Sequence, residues 1–138
     1  RWLAFDSDRD GTRGVYVAQP DAAGARRISG EGYAAVPGWS PDGERLAFIR
    51  ADPARPGVWN VWVAEVASGV LRQVTHHRAG QAWGPSWFPD GQRLAYSVED
   101  ALIVSDLRDA SARGRSRRLL RTSRARSSSA RSVAPTSE

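Results

Sequence analysis

Trp39-Ser40-Pro41-Asp42-Gly43-Glu44-Arg45-Leu46-Ala47-Phe48 returns 48 residues later as Trp87-Phe88-Pro89-Asp90-Gly91-Gln92-Arg93-Leu94-Ala95-Tyr96. Self-similarity at such a period marks a repeat architecture, in which each unit is one supersecondary element stacked on the next. A partial third copy opens the chain, because Leu3-Ala4-Phe5 matches Leu46-Ala47-Phe48 and Leu94-Ala95-Tyr96; the sequence is expected to begin inside a repeat.

Four apolar strand candidates, a to d, fill the middle repeat. Strand a runs from Ala35-Val36 to Trp39, b from Arg45 to Ile49, c from Val58 to Val66 and d from Leu71 to Thr75. Ser40-Pro41-Asp42-Gly43 and Phe88-Pro89-Asp90-Gly91 are turns, since proline presets the first corner and glycine accepts a positive φ. Leu46-Ala47-Phe48-Ile49 and Val61-Trp62-Val63-Ala64 are apolar at consecutive positions. A strand alternates sides, so such runs require a sheet covered on both faces. The opening repeat ends its d-strand at Arg26-Arg27-Ile28-Ser29. The last repeat has a tight Glu99-Asp100 connection, a c-strand at Leu102–Ser105 and a weaker d-strand from Gly114 to Leu119. The connections Asp6–Gly14 and Ala51–Gly57 are read as longer loops.

These motifs resemble the TolB-like β-propeller family, whose blades share the W-S-P-D-G turn, the [IL]-A-[FY] b-strand and a closing [LIV]-T. The resemblance implies an all-β fold with a partial β-propeller of about three four-stranded antiparallel blades, over residues 1–29, 30–76 and 77–122. Residues 123–138 form an Arg/Ser-rich tail expected to be disordered. Propellers close with about four to eight blades, so the chain is expected to be a fragment of a larger ring. Its first and last blades would each present an apolar face.

Composition narrows the classes. All 20 basic residues are arginine, with 11 against 13 acids in residues 1–107 and 9 against 2 acids in residues 108–138. The basic character is C-terminal, and the body has no general attraction for nucleic-acid backbones. No apolar run approaches the ~18 residues of a membrane span. The absence of Cys excludes disulfides and Cys-based metal sites.

Candidate chemistry is sparse. Asp6, Asp8 and Asp10 precede Gly11 in the spacing that opens a calcium loop, but Val17 occupies the twelfth position, where a bidentate Glu is needed; a connecting turn is the alternative. His76 and His77 are adjacent and would point to opposite faces of a strand, a poor basis for chelation. Gly38-Trp39-Ser40-Pro41-Asp42 departs from the G-x-S-x-G nucleophile elbow at its last residue. No catalytic residue and no cofactor are expected. Trp39, Trp59, Trp62 and Trp87 are read as packing residues. Trp83 stands where the preceding repeat has Ala35, so the pattern does not demand its ring.

In propellers of this kind the d-to-a and b-to-c connections gather on one rim. The resemblance therefore places Arg9, Arg13, Arg55, His76, His77, Arg78 and Trp83 as rim candidates for a protein or peptide partner, because Arg and aromatic side chains anchor interfaces. It further implies a non-enzymatic binding scaffold, periplasmic or secreted, with an envelope complex as the kind of partner. The alternative is the propeller that precedes an α/β-hydrolase domain in prolyl-oligopeptidase-like serine peptidases.

Overall fold

The computed structural model describes residues 1–21, 23–109 and 116–121, and these fold into three antiparallel sheets without a helix. The first sheet holds β1 (Leu3–Ser7), β2 (Gly14–Ala18) and β3 (Arg26–Arg27). The second holds β4 (Ala34–Trp39), β5 (Arg45–Asp52), β6 (Arg55–Glu65) and β7 (Leu71–Gln73). The third holds β8 (Ala82–Trp87), β9 (Arg93–Val98), β10 (Ala101–Asp106) and β11 (Ser116–Arg121). Strand order follows chain order in each sheet, which is the a-b-c-d meander of a propeller blade. The first blade lacks strand a, as the opening half-repeat predicts. The tail at 123–138 and the start of the last d-strand at Gly114 lie outside the described residues.

The three sheets are one unit repeated. Ala4 pairs with Val17, Ala47 with Val63 and Ala95 with Val104, while the same three valines pair on their other side with Arg26, Arg72 and Arg117. Alternation along β5 sends Leu46 and Phe48 into a core shared with Val15, Val17 and Ile28 of the first blade. Ala47 goes the other way, into a core shared with Leu94 and Tyr96 of the third. Consecutive apolar residues in the middle blade thus serve two interfaces, which explains a pattern that a sheet with one wet face would not tolerate.

Polar pegs fix the blades in register. Arg26 in β3 donates to the Val66 carbonyl of the second blade, and Arg72 in β7 donates to the Leu107 carbonyl of the third at 2.9 Å. Arg45 reaches the Gly91 carbonyl at 2.6 Å and lies over the Trp87 ring, whose Nε1 donates to the Gly38 carbonyl at 3.0 Å. Asp6 accepts the Val36 amide at 3.0 Å across the first interface. The d-strands of the first two blades are each followed by a hydroxyl: the Val15 amide donates to Ser29 Oγ at 3.0 Å and the Val61 amide to Thr75 Oγ1 at 2.9 Å.

Pro37 and Pro85 sit in bulges of the a-strands, where pairing with the b-strand is interrupted and no ladder donor is missed. The residue before each proline is left-handed, with φ 59° at Val36 and 60° at Gly84.

Two expectations are corrected. The connection expected over Ala51–Gly57 shortens to Pro53-Ala54, because Asp52 accepts the amides of Ala54 and Arg55 at 2.9 and 3.2 Å and so closes a tight turn. Trp59 is no blade-packing residue. Trp39 and Trp62 pack on the first core and Trp87 on the second, whereas Trp59 lies on the rim, where the longer β5–β6 hairpin carries it. Among the described residues no helix is long and apolar enough to cross a membrane.

Candidate functional site

The b-to-c turns and the d-to-a connections meet on one rim through backbone contacts. The Ala34 amide donates to the Arg13 carbonyl at 2.9 Å, and the Trp59 amide donates to the Gly80 carbonyl at 3.1 Å. The first of these junctions is organised by Arg27. Its guanidinium donates to the carbonyls of Thr12 (2.9 Å), Gly30 (2.7 Å), Gly32 (2.7 Å) and Arg13 (3.4 Å) and to the Tyr16 hydroxyl (3.3 Å). One planar fork thereby ties two connections of the rim together.

At the second junction three rings form a row. Tyr33 stacks on Trp59 with centroids 5.3 Å apart, and Trp59 meets Trp83 at 5.6 Å with a tilt of 31°. Trp59 Nε1 donates to the Pro56 carbonyl at 3.1 Å, which fixes the central ring, while Trp83 is 49% exposed. Arg55 lies beside the row, paired with Asp52 at 2.6 Å and within 3.5 Å of the Arg78 carbonyl. The Arg55 hydrogen bond and two backbone amides hold the Asp52 carboxyl below its ordinary pKa.

Beneath the rim lies a buried clamp. Asn60 Oδ1 accepts from Thr75 Oγ1 at 2.9 Å and from the His77 amide at 2.7 Å. His77 Nε2 stands 3.1 Å from the Tyr96 hydroxyl. Burial, assisted by the neighbouring His76, holds the His77 pKa below the ordinary value, so the neutral ring is favoured. A recess of about 310 Å³ opens beside this clamp, lined by Arg50, Asp52, Asn60, Trp62 and Gln73 among others.

The sequence candidates separate into two groups. Arg55, Arg78 and Trp83 come together at the aromatic row, whereas His77 sits beneath it in the Asn60 clamp and His76 is exposed. Arg13 pairs with Asp6 at 2.8 Å at the first junction. Arg9 lies elsewhere, over the Phe5 and Tyr16 rings on the outward face of the first blade, at 5.0 and 5.1 Å.

The three carboxylates with calcium-loop spacing do not converge on one point. Asp6 holds Arg13 and the Val36 amide, Asp10 accepts the Tyr16 hydroxyl and pushes that phenol above its ordinary pKa, and Asp8 closes the turn with its carbonyl. Among the described residues no group of three or more His, Asp or Glu is arranged to hold a metal ion. Ser40 is buried in its turn, donating to Asp42 and accepting the Arg45 amide at 3.0 Å. The hydrogen bond from Ser40 is the main cause that depresses the Asp42 pKa. This serine is a turn residue.

Tyr33, Asn60 and Arg27 were not singled out by sequence. Tyr33 had one available signal, an aromatic residue after the Gly30-Glu31-Gly32 connection. Arg27 had none, because Gln73 occupies the corresponding place in the next repeat.

No family model and no curated protein matches the sequence. Solved structures do share its fold. A putative TolB from Agrobacterium tumefaciens superposes with a TM-score of 0.67 at 22% identity, over 86% of this chain and 45% of that one. TolB from Acinetobacter baumannii gives 0.67 at 18% identity, over 86% of this chain and 30% of that one. The β-propeller domain of the Trilobed protease from Pyrococcus furiosus gives 0.61 at 17% identity, over 88% and 40%. The chain thus spans less than half of each, and the likeness shows the fold: a partial β-propeller of the TolB-like kind.

Proposed function

We propose that this partial TolB-like β-propeller is a non-enzymatic binding module that engages a protein or peptide segment across its b–c/d–a rim. The observation that carries the reading is the row of half-buried Tyr33 and Trp59 and exposed Trp83 with Arg55 and Arg78 beside it, since aromatic and Arg side chains on a rigid frame are what interface anchors consist of. Rigidity comes from below, where the Asn60 clamp fixes the strand that leads into the rim. A periplasmic or secreted placement and a partner within an envelope assembly accompany the TolB-like reading. Residues 1–122 form the module, in blades 1–29, 30–76 and 77–122, and belong to a larger ring.

Selection of a displayed random-peptide library against the chain tests the reading. Peptides retained by the native protein should be lost on Trp83→Ala and weakened about tenfold or more on Arg55→Ala, as hot-spot truncation does. Peptides retained equally by both variants would move the site off this rim. A second reading, an accessory propeller of a serine peptidase, draws on the likeness to the Trilobed protease propeller. A hydrolase domain in the same open reading frame would favour it.

A further inference from the structure

The second junction of the rim holds a trough of about 400 Å³ lined by Gly57, Gly80, Gln81 and Glu99. Gly57 comes from the start of β6, Glu99 from the turn between β9 and β10, and Gly80-Gln81 from the connection that joins the two blades. Every wall therefore belongs to the second or third blade. The trough adjoins the aromatic row, because Gln81 bridges Trp59 and the Gly80 carbonyl accepts the Trp59 amide.

Glu99 is the one charged residue of the lining, and its carboxylate makes no hydrogen bond and no ion pair among the described residues. The neighbouring charges are differently placed. Arg55 is paired with Asp52, and Arg78 lies beside Arg55 outside the trough. Glu99 also keeps an unusual backbone. Val98 pairs with Ala101, so Glu99-Asp100 is a two-residue hairpin turn with Glu99 at its first corner, at φ 53°. Glycine is favoured at such a corner, and a side chain held there stores strain. Among the described residues only Val36 shares this condition.

Gly80 makes room for the carboxylate. Itself left-handed at φ 78°, it would carry a Cβ only 3.0 Å from Cγ1 of Val98 and 3.7 Å from Oε1 of Glu99. The rim thus holds an unpaired carboxylate over a glycine floor at the edge of an aromatic row. A lone carboxylate is too small a ligand set for calcium or magnesium, which take about six oxygens or more. The trough has room for a long side chain instead. Lysine and arginine bring a cation on an apolar stem, and an aromatic ring beside the carboxylate favours the same cation.

Resting on the rim reading of the aromatic row, we propose that this trough is the subsite for a lysine or arginine side chain of the bound segment, whose ammonium or guanidinium pairs with the Glu99 carboxylate. The row supplies the apolar anchor, and Glu99 selects the charge of the residue next to it.

Peptides retained from the displayed library test this. They should be enriched in Lys or Arg at one position, and Glu99→Gln should weaken them about fivefold, the upper range for an exposed charge pair. Raising salt from about 0.05 to about 0.5 M should remove most of that difference. A synthetic peptide with glutamine in place of the enriched residue should no longer respond to Glu99→Gln, which makes the pair a double-mutant cycle. Glu99→Gly should bind as weakly as Glu99→Gln yet melt at a higher temperature, because it relieves the left-handed corner; misfolding then cannot account for the loss. Trp83→Ala is scored in parallel. Peptides lost on Trp83→Ala but indifferent to Glu99→Gln would overturn this subsite and leave the rim reading standing. Peptides that respond to Glu99→Gln but not to Trp83→Ala would uphold the subsite and overturn the row as anchor. A library that yields no binder would overturn both.

Discussion

A Cβ placed on Gly14 would lie 2.3 Å from Cζ of Arg27. The glycine is therefore the floor on which the guanidinium rests while it holds the carbonyls of the two rim connections. Arg27→Ala should destabilise the fold by about 2–3 kcal/mol, in the range for lost hydrogen bonds to a charged group. Gly14→Ala should cost about as much, because the methyl group evicts the same guanidinium. The double variant should cost little more than either alone, and chemical denaturation of the four proteins reads that non-additivity. Independent, additive losses would show that Gly14 and Arg27 act separately.

Val36 is a β-branched residue at φ 59°, in the position where the next repeat has Gly84 at 60°. Left-handed backbone at such a residue costs about 1–3 kcal/mol, against about 0.5–1 kcal/mol of extra entropy lost by glycine. Val36→Gly should stabilise the chain by about 1 kcal/mol, seen as a higher melting temperature. Destabilisation would mean that packing of the Val36 side chain outweighs the backbone strain.

The pH response of His77 has a definite sign. Its folded pKa lies below the ordinary value, so the unfolded chain takes up the proton first as the solution is acidified. Stability attributable to the neutral ring is full above about pH 6.5, the unfolded value, and is lost as pH falls through the lower folded value. Melting temperatures measured downward from neutral pH should decline over that interval, and His77→Gln should flatten the decline. An unchanged slope would assign the acid sensitivity to other groups.

Asp6 is an interface residue whose carboxylate already holds Arg13 and the Val36 amide. Calcium should leave the melting temperature unchanged. Asp6→Ala should lower stability by about 1–2 kcal/mol through the orphaned amide. A calcium-dependent rise that disappears with Asp8→Ala would establish a cation site in this turn.

The repeat made the blade legible. Two copies of P-D-G and of the L-A-[FY] strand located the sheets, and consecutive apolar residues at Leu46–Ile49 announced burial on both sides. The rim was less legible, because its geometry depends on contacts between distant parts of the chain. Trp59 looked like the strand tryptophans around it, and only the extension of β5 and β6 past Ala51 lifts it out of the core. Tyr33 becomes part of the row through the stacking of one blade on the next, a relation no local pattern records. Arg26 recurs in the repeat as Arg72 and Arg117 while Arg27 gives way to Gln73 in the second blade, yet nothing local in the sequence tells that one pins a blade and the other organises a rim. Their different roles follow from strand alternation, which turns neighbouring side chains to opposite faces.

The prolines in the a-strand bulges have a consequence for how anything else can attach. β4 and β8 are edge strands, and an edge with a free row of amides recruits further strands, whether from a ligand or from an aggregating neighbour. Pro37 and Pro85 remove one donor each, and the bulges break the straight run that a foreign backbone would need to follow. The inner borders of the second and third blades are thereby closed to β-augmentation. Under the proposed rim reading, a bound segment is recognised by its side chains rather than by pairing with β4 or β8, and the same two prolines guard the chain against cross-β growth from that border.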